Sequence, residues 1–372
     1  MTSVPFVRIA VVVNASSRRG SGRVAELARR WLPSATILLS HTLDELDAFA
    51  RELVARPPDL VLAAGGDGTA IGIVNAIRRA ERVLYPARAS GRGRRPLGPV
   101  IAALKLGTGN AWARGLGAPD TARALELIAE LDRNGERPPI KRFDLVEVEG
   151  KLAHFTGTGW DAEIISDFHA QKSAPSFLSD TRKRGLAGYL NGMFTRTVPR
   201  NIKNGQARVR ITNLGSDAMT VSKDKLPVSL GAPAGAVLYE GPSSVCGIGT
   251  SPQWGYGFVA FPFAGLVEGR FNLRNYGGGA IEALLHSPWL WAGSHPLTKM
   301  DCWLLDKVRL EFSRKVPFQL GGDLLGDRDV VEYSIADEYV HLVHWSALRD
   351  GVRLLAPSKP RATSFQSEPA LA

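Results

Sequence analysis

Four short apolar runs, Arg8–Val13, Ala35–Ser40, Asp59–Ala64 and Pro99–Leu104, constrain this chain's fold more than any other feature. None alternates polar with apolar residues, so each suits a strand covered on both faces, as in a parallel sheet. The segments GRVAELARRWL, TLDELDAFARELVA, AIGIVNAIRRA and TARALELIAELDRNG, which separate and follow the runs, repeat apolar residues at helical spacing. That alternation predicts a three-layer α/β domain over residues 1–142.

From Lys141 the pattern changes. RFDLVEVEGKLAHFTGTG reads as paired strands around a Glu-Gly turn, and ARVRITNL, LPVSLGAP, GAVLYEG, GYGFVAFPF and KVRLEFS as further short strands between Gly and Pro residues. A β-rich second domain over residues 143–326 follows, giving a fold class of α/β plus β. Asp180–Thr197 reads as a helix within it, and Leu284–Leu297 as a Pro-bounded loop carrying Trp289 and Trp291. VVEYSI and YVHLVHW read as two closing strands in residues 327–356, residues 357–372 as a disordered tail, and Arg88–Gly98 as a basic, Gly-rich insertion.

A formal charge of +10 across 372 residues favours anionic partners: phosphorylated ligands, anionic lipid or nucleic acid. No recognition-helix or RNA-platform motif accompanies the charge, so nucleic acid is not expected. Two cysteines are too few for a disulfide framework or a Cys-rich zinc site. The N-terminal apolar run is too short for a signal-peptide core and no run reaches bilayer-spanning length, so the expected location is cytoplasmic, with any membrane contact peripheral.

The chemistry concentrates at three glycine-rich loops, each following a predicted buried strand. The first, Val11–Arg23, carries Asn14, Gly20, Ser21 and Gly22. The second is Gly65–Thr69, GGDGT, and the third Leu104–Gly117, which contains GTGN. Loops at the C-terminal ends of parallel strands face one crevice, and glycine amides at a helix N-terminus suit phosphate. Asp67 is the exception in such a cradle: a carboxylate beside phosphates needs a divalent cation or a hydroxyl proton between them. Neither G-x-G-x-x-G nor G-x-x-x-x-G-K-[ST] occurs in these loops, so they are neither a dinucleotide fingerprint nor a P-loop.

GGDGT at Gly65–Thr69, LGTGN at Leu106–Asn110, GTGWDAEI at Gly157–Ile164 and FQLGGDLLGDRDVVEY at Phe318–Tyr333 together resemble the diacylglycerol kinase catalytic family of lipid kinases. GGDGT alone is shared with NAD kinases and is similar to a phosphofructokinase motif; with GTGN after it the resemblance is to lipid kinases. The resemblance implies an ATP-binding α/β domain, a C-terminal β-sandwich, an active site between them, and closing strands that return to the first domain. It implies nucleotide contacts at Asn14, Ser21, Gly65, Gly66, Gly68, Thr69, Gly107, Thr108, Gly109 and Asn110, with Asp67 in a Mg²⁺ and water network.

Three positions depart from the family pattern. NASSRRGSG replaces N-P-x-S-G, leaving Ser16, Ser17 and Ser21 as alternatives for the phosphate contact. Ala111 stands where an acid often follows GTGN. Gly321 replaces the first acid of the late D-G-E or D-G-D motif, so Asp323 is the expected acceptor of the substrate hydroxyl proton, with Asp67 the competing candidate. The expected partners are a lipid substrate, an anionic membrane surface and a second copy of the chain. An NAD kinase-like soluble kinase and a catalytically weakened nucleotide- or lipid-binding protein are the alternatives. The basic amphipathic segment from Asp180 to Lys203 and the Trp289/Trp291 loop are the expected membrane contacts.

Overall fold

The structure is a computed structural model that describes residues 8–15, 21–89, 93–107, 109–173, 188, 191–255 and 257–355. Its first part is a parallel sheet in the order β2–β1–β3–β5, made from β1 (Ile9–Asn14), β2 (Thr36–Ser40), β3 (Leu60–Ala64) and β5 (Val100–Ala103), with β4 (Arg95–Pro96) lying just before β5. Val11, Val12, Val13, Leu60, Val61, Leu62 and Ile101 are fully buried, as strands without polar alternation require. Helices α1 (Ser21–Trp31), α2 (Leu43–Ala55) and α3 (Asp67–Leu84) follow β1, β2 and β3. Each strand therefore ends in a loop on one edge of the sheet.

A hairpin of β6 (Ile140–Val148) and β7 (Lys151–Ala153) opens the second part. Its turn residues Glu149 and Gly150 have φ of 48° and 75°, a primed turn that matches strand twist. The β-rich part adds β8 (Phe155–Gly159), β9 (Ala207–Asn213), β10 (Met219–Val221), β11 (Pro227–Ser229), β12 (Val237–Ser243), β13 (Val245–Gly249), β14 (Phe271–Tyr276), β15 (Met300–Leu305), β16 (Lys307–Leu320) and β17 (Asp323–Val343). One path of pairings runs β11–β10–β15–β14–β13–β8 and another β12–β9; β16 joins both, pairing with β9 through Val308–Phe312 and with β8 through Phe318–Leu320. Val209 and Ile211 of β9 share one buried core with Ile248 of β13, Leu273 of β14 and Leu310 of β16. Burial of each large apolar side chain contributes about 1.5–3 kcal/mol.

The two parts are joined by β17. Its first half pairs antiparallel with β16, and its second half runs parallel to β4 and β5 and antiparallel to β6, so the α/β sheet and the β-rich part share one strand. VVEYSI and the first five residues of YVHLVHW thus belong to one 21-residue strand with an irregularity between Ile335 and Tyr339, whereas Trp345–Leu355 is a helix where the closing strands were expected to continue.

Long-range polar contacts pin α3 to β17. Buried Arg78 donates to Glu147 of β6 at 2.7 Å and to buried Glu338 of β17 at 3.1 Å. Arg95 bonds Glu81 at 2.6 Å and Glu338 at 3.5 Å. Asn75 exchanges hydrogen bonds with the Leu152 backbone, donating to O at 2.8 Å and accepting from N at 2.9 Å. The residues read as a basic insertion are therefore partly structural, with Arg94 also paired to Asp144 at 2.5 Å.

Two further readings change. GYGFVAFPF is an irregular segment with one isolated bridge, Gly255 to Phe258, because Gly255 and Gly257 adopt φ of 151° and 83°. Leu284–Leu297 is largely the end of a helix, Ala280–Trp291, with Pro288 inside it. Most of the expected Asp180–Thr197 helix lies outside the described residues; the described part from Met193 continues as a helix to Asn204.

Candidate functional site

The second and third glycine loops touch backbone to backbone. A Cβ on Gly107 would run into the Gly66 Cα, and one on Gly66 would lie 3.0 Å from the Gly107 Cα. Only glycine permits that approach. Asn110 closes the third loop on itself: its φ is 53°, its side chain accepts from Gly107 N at 2.8 Å and donates to Gly107 O at 2.6 Å. Asn14, the last residue of β1, donates to Thr69 Oγ1 at 3.2 Å and so ties the first loop to the second.

Asp67, the first residue of α3, joins the loops electrostatically. Its carboxylate accepts from Ala111 N at 2.9 Å and Trp112 N at 3.2 Å, at the start of the short helix α5 (Ala111–Gly115). Burial pushes the Asp67 pKa above its ordinary value, and the Ala111 and Trp112 amides pull it back. No cationic side chain pairs with it among the described residues. The N-cap of α3 is Gly66, without a side-chain cap, so the helix start offers amides to an anion.

The late GGD stretch reaches the same place from the other part. Leu320 of β16 faces Asp323 of β17 across a two-residue turn in which Gly321 and Gly322 have φ of 59° and 95°. A Cβ on Gly321 would lie 4.0 Å from Ile71 Cγ2, one helical turn after Asp67 on α3. Gly322 N donates to Gln319 Oε1 at 2.9 Å, and Gln319 Nε2 donates to Asp161 Oδ2 at 3.0 Å. Asp161 is the second residue of the helix Trp160–Ser173, which follows β8. Burial pushes its pKa up to about 7 against the pull of the Gln319 hydrogen bond, and its Oδ1 has no partner.

Asp161 also lines a cavity of ≈ 540 Å³. Phe258, Phe261, Leu284, Leu290 and Trp291 contribute to a wall that is predominantly apolar. Trp254, another wall residue, precedes Gly255, whose Cα lies 3.7 Å from a Cβ built on Gly109; that Cβ would stand 3.0 Å from Asp67 Oδ2. The cavity therefore abuts the glycine loops.

Of the sequence-predicted residues, the structure gathers Asn14, Gly65, Gly66, Asp67, Thr69, Gly107, Gly109 and Asn110 into contact, with Gly68 exposed on the first turn of α3. Asp323 is exposed at the start of β17. Ser21 begins α1, while Ser16, Ser17 and Thr108 lie outside the described residues. The sequence reading passed over Asp161, Gln319 and Trp254. Asp161 had a local signal: Gly157 leaves the space that its carboxylate fills. Gln319 and Trp254 had none, because contacts across sheets leave no trace in local spacing.

Residues 8–138 match the family model described as diacylglycerol kinase catalytic domain. A Bacillus subtilis (strain 168) protein named diacylglycerol kinase is 33% identical over 147 residues, which is 39% of this chain and 39% of that protein. The match thus spans about two fifths of the relative's length. A Bacillus anthracis str. Sterne structure titled as a diacylglycerol kinase superimposes with a TM-score of 0.57 at 14% identity, covering 92% of this chain and 98% of that one. A second structure from the same organism gives a TM-score of 0.59 at 15% identity over 92% and 99%. At such identity these two structures speak for the fold alone, an α/β part and a β-rich part in the order seen here. Residues 8–138 are thus similar to a diacylglycerol kinase catalytic domain, and the chain has the two-part fold of those solved structures.

Proposed function

We propose that the chain is an ATP- and Mg²⁺-dependent kinase that phosphorylates the hydroxyl of a lipid such as diacylglycerol. One observation carries this reading: the uncapped glycine junction at Asp67 abuts an apolar cavity of ≈ 540 Å³, through Gly109 and Gly255. Glycine loops without side chains suit phosphates, and an apolar chamber of that size suits aliphatic chains.

The residues fit both groups. Bound ATP and Mg²⁺ would supply the transferable phosphoryl group and the charge that neutralises it. Gly66, Gly68, Gly107 and Gly109 leave the backbone bare where phosphate oxygens would approach. Asp67 has a raised pKa and no cationic partner among the described residues, so a divalent cation would relieve its burial. No cluster of three or more His, Cys, Asp or Glu gathers as a metal site among the described residues, which matches a cation held by one carboxylate and phosphates. Asp323 is the proposed acceptor of the lipid hydroxyl proton, with Asp67 its competitor; Asp161, facing the cavity with a pKa near neutrality, is a third candidate.

Among the described residues no helix is long and apolar enough to cross a membrane. A peripheral approach is favoured by the helix Ala280–Trp291, which turns Ile281, Leu285 and Trp289 outward at 63%, 68% and 53% exposure while Ala283 and Leu284 line the cavity. An exposed apolar stripe opposite a cavity wall suits an interfacial helix.

Incubation with γ-labelled ATP, Mg²⁺ and a total lipid extract tests the reading. Label is expected in a chloroform-soluble product, and to disappear with D67N. Label transferred to NAD and to no lipid would replace the lipid acceptor with a soluble one. Binding of ATP without any transfer would make the protein a non-catalytic binder.

A further inference from the structure

Arg274 is the anomaly of the cavity wall. It sits on β14 opposite Gly247, is 4% exposed, and lines the chamber. Its Nη1 donates to Ala260 O at 3.2 Å and its Nη2 to Ser294 O at 2.9 Å. Nε has no hydrogen-bond partner, and no carboxylate forms an ion pair with the guanidinium among the described residues.

The other arginine buried among the described residues shows what is missing. Arg78 is equally buried and holds Glu147 at 2.7 Å and Glu338 at 3.1 Å. A buried charge without a counter-charge is expensive, and backbone carbonyls supply hydrogen bonds without supplying charge. Such a group beside an apolar chamber is completed by a ligand that is aliphatic along its length and anionic at one point. Asp161 and Tyr276 also border the chamber, but neither pairs with Arg274: Asp161 bonds Gln319, and the Tyr276 hydroxyl lies 2.9 Å from His286 Nδ1.

We propose that Arg274 is the specificity residue of the cavity, its guanidinium donating to an oxyanion, carboxylate or phosphate, that is carried on the aliphatic chain filling the chamber. The proposal rests on the cavity being the lipid site, and it narrows the acceptor class from neutral lipid alcohols toward lipids bearing an oxyanion near the chain. A guanidinium N–H to an oxyanion is a charge-assisted hydrogen bond, the stronger kind. The opposing Gly247 carries no side chain to compete for the space.

Calorimetric titration with dodecanoate, dodecyl phosphate, dodecanol and inorganic phosphate, each amphiphile below its micelle concentration, tests this on the wild type, R274M and R274K. Both chain-borne oxyanions are expected to bind at least tenfold more tightly than dodecanol. R274M is expected to lose that preference while its dodecanol affinity stays within twofold, and R274K to keep the preference at reduced strength. Should R274M not fold, R274K and the wild type still decide: equal affinity for dodecanol and the anions in either overturns the proposal. So does an unchanged preference in R274M, or inorganic phosphate binding as tightly as dodecyl phosphate and equally sensitive to Arg274. If dodecanol binds without any preference for anions, only the role of Arg274 falls. If no amphiphile binds at all, the lipid reading of the cavity falls with it.

Discussion

Gly107 and Gly68 belong to the same cradle but answer to different constraints. An added methyl at Gly107 meets the Gly66 backbone and, at 3.2 Å, Asn110 Oδ1, whereas at Gly68 it meets nothing within 4 Å. G107A is therefore expected to lose about 1–3 kcal/mol of stability through forced backbone movement, together with nucleotide binding. G68A is expected to hold its stability and lose only nucleotide affinity. Urea denaturation and calorimetric titration with ATP separate the two, and a G107A protein as stable as wild type contradicts the close approach. A second residue-scale case is His154, fully buried between Trp112 at 4.5 Å and Phe155 at 4.6 Å, with both ring nitrogens unpartnered. Burial lowers its pKa from 6.5 to about 3. Between those values the unfolded chain binds a proton that the folded chain refuses, so this residue's contribution is present above pH 6.5 and is lost as pH falls toward 3. H154F keeps the packing and removes the linkage. Its unfolding free energy should depend less steeply on pH over about pH 4–6, by up to ~1.4 kcal/mol per pH unit. Identical pH slopes for the two proteins would sink the assignment.

At the scale of elements, α3 carries Asp67 at one end and Arg78 and Glu81 toward the other, while β17 begins at Asp323 and carries Glu338 in its second half. The Arg78–Glu147–Glu338 group thus sets the two chemistry-bearing elements against each other. R78M leaves Glu338 buried without its nearest cation and is expected to cost about 3–5 kcal/mol. A loss below about 1 kcal/mol in urea denaturation would show the pairing to be incidental. None of this network was legible in the sequence, since Arg78 and Glu338 are 260 positions apart and each reads as an ordinary surface charge. β1, β3 and β5 were legible because burial on both faces imposes an unbroken apolar run; β2, at the sheet edge, departs from that expectation and leaves Leu39 36% exposed. The helix Ala280–Trp291 was misread because Pro288 and two tryptophans signal a loop, yet near a helix end the missing Pro amide costs one bond, and Ala292 N still donates to Pro288 O at 3.0 Å. That helix makes its own prediction: I281S/L285S/W289S should weaken partitioning onto phosphatidylglycerol-containing vesicles tenfold or more in a sedimentation assay. Partitioning equal to wild type places the membrane contact elsewhere.

Across the whole molecule, GGDGT and GTGN meet because β3 and β5 pair, and the late GGD motif is brought to the first part by β17, which returns to the first sheet. GGDGT and GTGN touch through Gly66 and Gly107, the GGD turn leans on Ile71, and Gln319 connects that turn to Asp161 in the cavity wall. The candidate site was legible as a set of motifs; its apolar half was not, because the walls come from the helix starting at Trp160, from β13, from β14 and from the helix Ala280–Trp291, whose residues share no spacing. In the proposed function the glycine junction and the cavity act as one site with separable halves. The direct measurement is label transfer from γ-labelled ATP into chloroform-extractable product by A283W, which fills the cavity from its helical wall, alongside ATP binding by calorimetry. ATP affinity within twofold of wild type and lipid labelling reduced at least tenfold are expected. Undiminished lipid labelling by a protein whose cavity is filled would contradict the proposed function.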